Sequence, residues 1–289
     1  MYQLFFDTDC DVTLEIAKKY NATLISMPYA LDGEEVSPYK DWEKFDTHAF
    51  NDALRSGKVD PTTSALNVAE YINYFEPVLQ SGKDILYVHF SRAMSATFNS
   101  CDAAIAELLK KYPERRIQLI DTRAICVGAL LTCFRIGELV LKGQSIDEIL
   151  KVSEDIIDTS SVYFYADNLK FFARSGRVSG FSAFMGGMIG IKPIIYMSKE
   201  GKMVSIDKAV GRKKALEKLL EYVEKKEDDF KNYPVIIAHA DNIALANELV
   251  KMAEAKFGKF DYIIEDVNPT AGCHCGPDVV GISFHGKER

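Results

Sequence analysis

Buried strands that end in polar turns and lead into helices recur through the first half of this chain. This alternation limits the possible folds more than any other feature. Segment 84–90 is rich in branched and aromatic residues, as in a buried strand, and segment 100–111 has the apolar spacing of a helix. Strands that alternate with helices usually pair in parallel through βαβ units. The pattern therefore predicts an α/β protein whose N-terminal part contains a mostly parallel sheet with flanking helices.

The same periodicity locates the other elements of this half. Pro28 falls inside one predicted strand and suggests an edge or a bulge there, because proline donates no ladder hydrogen bond. The expected strands are 2–6, 23–31, 84–90 and 116–122, and the expected helices are 13–20, 47–56, 67–80, 100–111, 124–142 and 145–157.

The pattern changes near residue 158. Segments 194–197 and 203–209 flank a short turn and predict an antiparallel hairpin, whereas strand–helix units return after residue 234. A hairpin mixed with such units indicates a mixed sheet. We therefore expect two domains, an N-terminal domain of residues 1–157 and a C-terminal α/β domain of residues 158–289.

Composition excludes several classes of protein. The formal charge of −7 argues against a nucleic-acid partner, which usually needs a basic face. No apolar run approaches the roughly 20 residues of a membrane span, so at most peripheral membrane contact is expected. The first residues do not resemble a signal peptide, and six scattered cysteines fit a reducing compartment. These features predict a cytoplasmic protein.

Three polar turns precede predicted helices. One contains Ser91, Ser95 and Thr97, and another contains Thr63 and Ser64. A helix N-terminus with hydroxyl donors can hold a phosphate or a carboxylate without a lysine. Ordinary helix caps are the alternative, since Ser and Thr are common at that position.

The third polar turn is 7–11, which is acidic. Asp7 and Thr8 stand at the end of the first strand, where ligands bind in open α/β sheets, and Asp11 could cap the following helix. A turn that consists only of capping residues is again the alternative.

The apolar segment 181–191 contains flexible and aromatic side chains separated by glycines. Such a segment suits either an adaptable apolar cavity or a tightly packed core helix, and both interpretations stay open. The candidate lining residues are Phe181, Phe184, Met185, Met188 and Ile189.

The last motif, 268–281, centres on His274. Glycines around it predict a tight, exposed loop that presents an imidazole with a pKa near neutrality, as general acid–base chemistry requires. Cys273 and Cys275 raise a metal alternative. Their spacing is poor for a closed zinc site, so no metal is expected. Cys126 and Cys133 share one face of the predicted helix 124–142 and are expected to be core thiols.

Taken together, these pieces resemble the DegV family, which includes the fatty-acid-binding subunit of bacterial fatty acid kinase. The resemblance covers essentially the whole chain. The matching pieces are, in order, Asp7-Thr8, Thr63-Ser64, Ser91 with Ser95-Ala96-Thr97, Leu169-Lys170 with Gly176-Arg177-Val178-Ser179, Ile191-Lys192-Pro193-Ile194, Arg212 and Gly272-Cys273-His274-Cys275-Gly276-Pro277.

The resemblance implies a two-domain protein that encloses one long-chain fatty acid in a buried tunnel. It implies that Thr63 and Ser95 bond the carboxylate, next to Ser64 and Thr97, and that Arg177 and His274 stand near the mouth and assist phosphotransfer. It further implies that a separate ATP-dependent kinase subunit, related to dihydroxyacetone kinases, forms an acyl phosphate for phospholipid synthesis. On this basis the chain is a non-catalytic subunit with no cofactor other than its lipid.

The sequence departs from the family at Ala65, Ala96 and Asp278, and the last places a negative charge near the expected phosphoryl site. Two alternatives to lipid binding are a self-sufficient hydrolase or transferase that uses Ser95 and His274, and a metal or redox sensor built on the Cys-His-Cys motif.

Overall fold

The computed structural model describes residues 1–41, 43–179, 190–230 and 232–289. The strands, in chain order, are β1 (Tyr2–Asp7), β2 (Thr23–Ile25), β3 (Tyr29–Leu31), β4 (Glu34–Val36), β5 (Pro61–Thr63), β6 (Asp84–His89), β7 (Ile117–Asp121), β8 (Ser160–Tyr165), β9 (Val178–Ser179), β10 (Ile191–Met197), β11 (Met203–Val210), β12 (Val235–His239), β13 (Tyr262–Asp266) and β14 (Val280–His285).

The helices are α1 (Leu14–Lys19), α2 (Thr47–Ser56), α3 (Val68–Gln80), α4 (Thr97–Lys111), α5 (Cys126–Leu141), α6 (Ile146–Asp158), α7 (Leu169–Ser175), α8 (Arg212–Lys226), α9 (Ile243–Phe257) and α10 (Pro269–Cys275). Two short 3-10 turns, Thr8–Cys10 and Arg92–Met94, follow β1 and β6.

The N-terminal strands form a parallel sheet in the order β2-β1-β6-β7. Phe5 of β1 stands opposite Tyr87 of β6, and Val88 stands opposite Ile120 of β7. Helices connect these strands, as parallel pairing requires. This arrangement confirms the predicted α/β architecture.

The strands after residue 158 form a mixed sheet in the order β13-β12-β14-β8-β10-β11-β9. The predicted hairpin of β10 and β11 is antiparallel, whereas β12 and β13 pair in parallel. Helices α8 and α9 pack on one face over a core of their own, and α5 packs against β8 and β14. The mixed sheet was predicted; the proposed domain boundary at 157/158 stays a prediction.

A third sheet, in the order β4-β3-β5, corrects two predictions. The single strand expected over 23–31 is wrong, because β2 joins the parallel sheet and β3 joins this small one. Two residues interrupt the strand ladder between β2 and β3. Pro28 has no backbone N–H to donate, and the backbone N–H of Met27 donates to the Thr8 hydroxyl (2.9 Å) and not to a neighbouring strand. The expected turn at 60–65 is partly strand β5, so Thr63 projects from a strand.

The capping interpretation of two polar turns is also corrected. Thr13, not Asp11, caps α1 by accepting from the N–H of Ile16. Asn67 caps α3 in a capping box with Glu70, in place of a Ser or Thr. Asp11 instead adopts a left-handed backbone (φ 53°) and accepts hydrogen bonds from Asn268.

The main apolar core lies between the parallel sheet and the mixed sheet, with α5 inside it. Gly128 allows α5 to approach β8 closely, because a Cβ there would lie 2.6 Å from Cγ1 of Val162. Cys133 of α5 is fully buried in this core, as predicted. In the described part of the chain, no helix is long and apolar enough to cross a membrane.

Candidate functional site

A cavity between the two large sheets contains the candidate site. Its walls are mostly apolar and come from both halves of the chain, and its polar groups include every ligand-binding residue that the sequence singled out. These polar residues are Thr63, Ser64, Ser95, Thr97, Arg177 and His274. The apolar lining includes Met27, Phe90, Met94, Ile125, Val127, Val162, Phe164, Phe172, Met197, Met203, Ala238, Val267 and Val279. The predicted lining residues Phe181, Phe184, Met185, Met188 and Ile189 lie outside the described residues.

Ser91 and Ser95 have different roles in the turn that follows β6. Ser91 is buried and donates to the carbonyl oxygen of Gly201 (2.8 Å), which fastens the β10–β11 hairpin to this turn. Ser95 lines the cavity, and its Oγ accepts from the N–H of Thr97 at the start of α4 (3.2 Å). Among the described residues the Ser95 hydroxyl has no acceptor, so its proton is available to a ligand.

The Thr97 hydroxyl is held in place by two neighbours. Its oxygen accepts from the N–H of Leu66 (3.1 Å) and lies 3.0 Å from the hydroxyl oxygen of Tyr71. If Tyr71 is the donor in that second bond, Thr97 keeps its own proton for the cavity. These two hydrogen bonds orient the Thr97 hydroxyl and still allow it to donate its proton to a ligand.

His274 and Thr63 meet in the cavity, with 2.9 Å between His274 Nε2 and Thr63 Oγ1. The predicted exposed loop is wrong. Residues 269–275 form the short helix α10, which Asn268 caps through the N–H of Ala271, and His274 is half-buried. Asn268 followed by Pro269 is a typical helix start, because proline is favoured in the first turn after an Asn cap.

The predicted neutral pKa of His274 is also wrong. Burial, together with the positive charges of the nearby Arg177 and Arg174, lowers the pKa of His274 to about 4. The imidazole is therefore neutral at physiological pH. With its proton on Nε2 it donates to Thr63, and Thr63 can then donate to a ligand.

Arg177 supplies the positive charge at the mouth of the cavity. The left-handed Gly176 (φ 65°) ends α7, and Arg177 follows it with an exposed side chain that donates to the carbonyl oxygen of Ser175 (2.6 Å). Within the described ranges Arg177 pairs with no carboxylate. Arg174 behaves differently, since it bridges Asp60 of the β5 edge (2.9 Å) and the carbonyl oxygen of Pro61 (2.8 Å).

Ser64 stands at the exposed rim, where its hydroxyl donates to Glu35. This bond uses the only proton of the Ser64 side chain. Ser64 therefore lines the cavity but, unlike Ser95, has already donated its proton and has none left for a bound anion.

Polar residues that sequence reasoning did not assign to the site also line the cavity: Asp9, Cys126, Thr270 and Cys275. The prediction that Cys126 is a core thiol is therefore incomplete, because the Cys126 side chain also lines the cavity. The position of Asp9 in a polar turn after β1 was a usable signal. Thr270 and Cys275 belong to the motif 268–281 that the sequence analysis singled out, whereas no local pattern marks Cys126 as a cavity residue.

The Cys-His-Cys motif does not assemble a three-ligand cluster in the described part of the chain. Burial raises the pKa of the Cys273 thiol to about 12 and keeps it protonated, whereas metal binding needs a thiolate. Among the described residues the three-ligand cluster is His48, Asp52 and Asp241, where Arg55 already pairs with both carboxylates.

Comparison with known proteins identifies the class. The model of the family described as "Uncharacterised protein, DegV family" matches residues 1–287, and the chain belongs to the DegV family. A DegV domain-containing protein of Clostridium perfringens is 32% identical over 288 residues, which cover 100% of this chain and 98% of that protein. The predicted family is therefore confirmed.

Two solved structures have the same fold. A DegV lipid-binding protein from Thermotoga maritima has a TM-score of 0.85 and 25% identity, with 100% of each chain covered. A stearic-acid-binding protein from Eubacterium ventriosum has a TM-score of 0.87 and 21% identity, with 99% of each chain covered.

Proposed function

We propose that this protein binds one long-chain fatty acid, with the carboxylate at the mouth of the cavity and the tail between the two sheets. The observation that carries this proposal is the cluster of hydroxyls, Arg177 and His274 at one part of a cavity whose remaining walls are largely apolar. The lipid-binding relatives of the same fold support it.

The head group needs donors because a buried carboxylate is costly unless it is hydrogen-bonded. Ser95 has an available proton, and Thr63 gains one when His274 donates to it. The N-terminus of α4 adds a favourable dipole beside Ser95. These hydroxyl donors are neutral and do not form an ion pair with the carboxylate, so one of its oxygens can stay nucleophilic.

The tail supplies most of the affinity. At about 0.8 kcal/mol for each buried CH₂, about a dozen methylenes in the cavity gain on the order of 10 kcal/mol before the ordering costs of binding. Val162 and Phe172 are examples of the buried side chains that provide this contact.

We further propose that the bound acid is presented to a dihydroxyacetone-kinase-like ATP-dependent subunit. The γ-phosphoryl group of ATP would pass to a carboxylate oxygen, which gives an acyl phosphate and ADP, and the acyl phosphate would enter phospholipid synthesis in the cytoplasm. Arg177 at the mouth would stabilise the transferred charge, and His274 would keep Thr63 oriented. The negative charge of Asp278 would not repel the transferred phosphoryl group strongly, because Asp278 pairs with Arg55 and Arg212 (both 3.3 Å).

The hydrolase alternative with Ser95 and His274 is not favoured. No hydrogen bond joins these two side chains among the described residues. His274 contacts Thr63, whereas Ser95 contacts the start of α4. A serine nucleophile needs a base within hydrogen-bond reach.

Mass spectrometry of the purified protein, first native and then after denaturation and organic extraction, tests lipid binding. We expect a stoichiometric fatty acid that is released on unfolding, or uptake of added palmitate or oleate by empty protein. Protein that is empty and takes up neither acid contradicts the proposal.

The kinase step has a separate test. The protein loaded with fatty acid, ATP and the purified kinase-like subunit from the same organism should give an acyl phosphate that hydroxylamine traps as a hydroxamate. Omission of either protein should abolish the product. If the kinase-like subunit formed the hydroxamate without this protein, the role proposed for this chain would be wrong.

A further inference from the structure

Asp9 places a carboxyl group in the wall of an otherwise largely apolar cavity. The residue follows β1, lines the cavity and is only 5% exposed. Its Oδ1 atom is buried and has no hydrogen-bond partner among the described residues. An unsatisfied buried polar atom lowers stability, so its presence on the wall of a binding cavity calls for a partner.

The other acidic residues of this turn have structural partners. Asp7 accepts from the N–H of Cys10 (3.1 Å), the Tyr87 hydroxyl (2.9 Å) and the N–H of Phe90 (3.1 Å). Asp11 Oδ1 accepts both the backbone and the side-chain N–H of Asn268, whereas its buried Oδ2 has no partner among the described residues. Neither residue lines this cavity, so Asp9 is the acid of the turn that a ligand can reach.

The neighbouring hydroxyl does not supply the missing partner. Thr270 also lines the cavity, but its hydroxyl donates its single proton to the carbonyl oxygen of Met27 (3.0 Å). While this bond is made, Thr270 can accept a hydrogen bond from Asp9 but has no proton left to donate, because its one proton serves either the Met27 carbonyl or the Asp9 carboxyl. A ligand group that donates would complete the site.

The protonation state of Asp9 fits a neutral ligand group. Burial, together with the negative charges of Asp7 and Asp11, raises its pKa well above the usual range. A protonated carboxyl both donates and accepts, and an alcohol does the same. A second carboxylate on the ligand would instead add charge to an acidic, water-poor turn.

We propose that the ligand is a long-chain fatty acid with a hydroxyl group on its chain, which Asp9 recognises. This inference rests on the proposed function and specifies its substrate class. Asp9 lies beside Thr270, which precedes His274 by one turn of α10, about 6 Å along the helix axis. The hydroxyl therefore belongs to the half of the chain nearer the carboxylate.

Competition binding with stearate and a series of monohydroxystearates, with the hydroxyl at different positions, tests the inference. We expect one isomer with its hydroxyl in the proximal half to bind about two- to tenfold more tightly than stearate, the range of one net hydrogen bond. Isomers whose hydroxyl meets the apolar wall should bind more weakly than stearate. If stearate binds more tightly than every isomer, the inference is wrong while the proposed function stands. If neither stearate nor any isomer binds, both are wrong.

Variants at position 9 connect the preference to the carboxyl group. Asp9→Asn keeps a donor and an acceptor and should retain the preference, whereas Asp9→Leu should reverse it and strengthen stearate binding. Thr132→Val is the matched control, because Thr132 Oγ1 is also buried and unpartnered in the described structure but lies outside the cavity lining. This control should retain the preference. A preference that survives in a folded Asp9→Leu protein would overturn the role of Asp9.

Discussion

The turns after β1 and β6 stand at equivalent places in the strand–helix pattern but differ in chemistry. Each is a short polar segment between a buried strand and a helix. The turn after β1 holds three buried carboxyls, Asp7, Asp9 and Asp11, whereas the turn after β6 holds the neutral hydroxyls Ser91, Ser95 and Thr97. The first turn therefore repels an anion, and the second can receive one.

This difference shows what a polar turn at a strand end can and cannot indicate. Burial of the β1 turn raises the pKa of Asp7 to about 6 and that of Asp11 to about 7, so these carboxyls resist ionisation. In the β6 turn, Ser95 retains an available proton in the cavity that Arg177 and His274 also line. The neighbours of a turn, more than its composition, determine which ligand it suits.

The largest effect that we predict comes from Asp11→Asn. Asparagine tolerates the left-handed backbone at this position and can still accept both hydrogen bonds from Asn268. The folded protein binds the Asp11 proton more tightly than the unfolded chain does, so the wild-type free energy of unfolding falls as the pH rises from about 4 through about 7. The variant should be more stable than wild type by about 2–4 kcal/mol at pH 8, with little difference at pH 4.

Urea unfolding at several pH values measures this difference. Asp7→Asn is the matched comparison in the same turn. Both Asp7 oxygens accept hydrogen bonds, so an amide NH₂ group would face a donor, and this variant should lose stability at pH 8. Equal stability of Asp11→Asn and wild type at pH 8 would show that burial of Asp11 carries no ionisation cost.

The next largest effect concerns Ser95→Ala in the other turn. The variant removes a hydrogen bond to a charged carboxylate, which is worth about 1.5–3 kcal/mol, so fatty acid affinity should fall about tenfold to a hundredfold. Ser91→Ala is the control, because Ser91 bonds the Gly201 carbonyl and lies outside the cavity lining. It should lower the melting temperature and leave affinity unchanged. Fluorescent fatty acid displacement on both variants distinguishes the roles, and wild-type affinity in Ser95→Ala would refute the assignment.

Local patterns were sufficient to predict the large sheets but not the small one. Segment 84–90 and its neighbours carry apolar runs that define buried strands wherever they pack. Strand β4 has no such run, since Glu34 and Glu35 are exposed, and β5 pairs with β3 through Thr63 opposite Tyr29. Both strands form because they pair with β3, and the local sequence pattern does not indicate this pairing.

The site was predictable as a set of residue types and not as a geometry. Thr63 and His274 are distant in the sequence, and they meet because β5 and α10 pack together. The low pKa of His274 arises from burial and from Arg177 and Arg174, so the ordinary pKa of histidine was a poor guide. Asp9 was visible in a polar turn, but only the fold shows that it lines the cavity.

A further effect should appear at His274 when ligand binds. In the empty protein the pKa of His274 is about 4. A carboxylate within about 4–6 Å stabilises the protonated ring and should raise this pKa by about one to three units. Proton NMR of the histidine rings with and without bound palmitate measures the change, and His274→Gln assigns the resonance. His48 is exposed and lies outside the cavity lining, so its titration should stay the same. An unchanged His274 pKa would place the carboxylate elsewhere.

The smallest effect should come from Ser64→Ala, which compares two hydroxyls of the same cavity. Ser64 is exposed, and its proton already belongs to the hydrogen bond with Glu35, whereas the Ser95 proton is available. An exposed hydrogen bond of this kind contributes little, so affinity should change less than about twofold. Thr63→Val at the preceding residue provides the contrast, because it removes the partner of His274 and should weaken binding more than Ser64→Ala does. A larger loss in Ser64→Ala than in Thr63→Val would mean that Ser64 leaves Glu35 when the lipid binds, and that the rim of the cavity rearranges around the carboxylate.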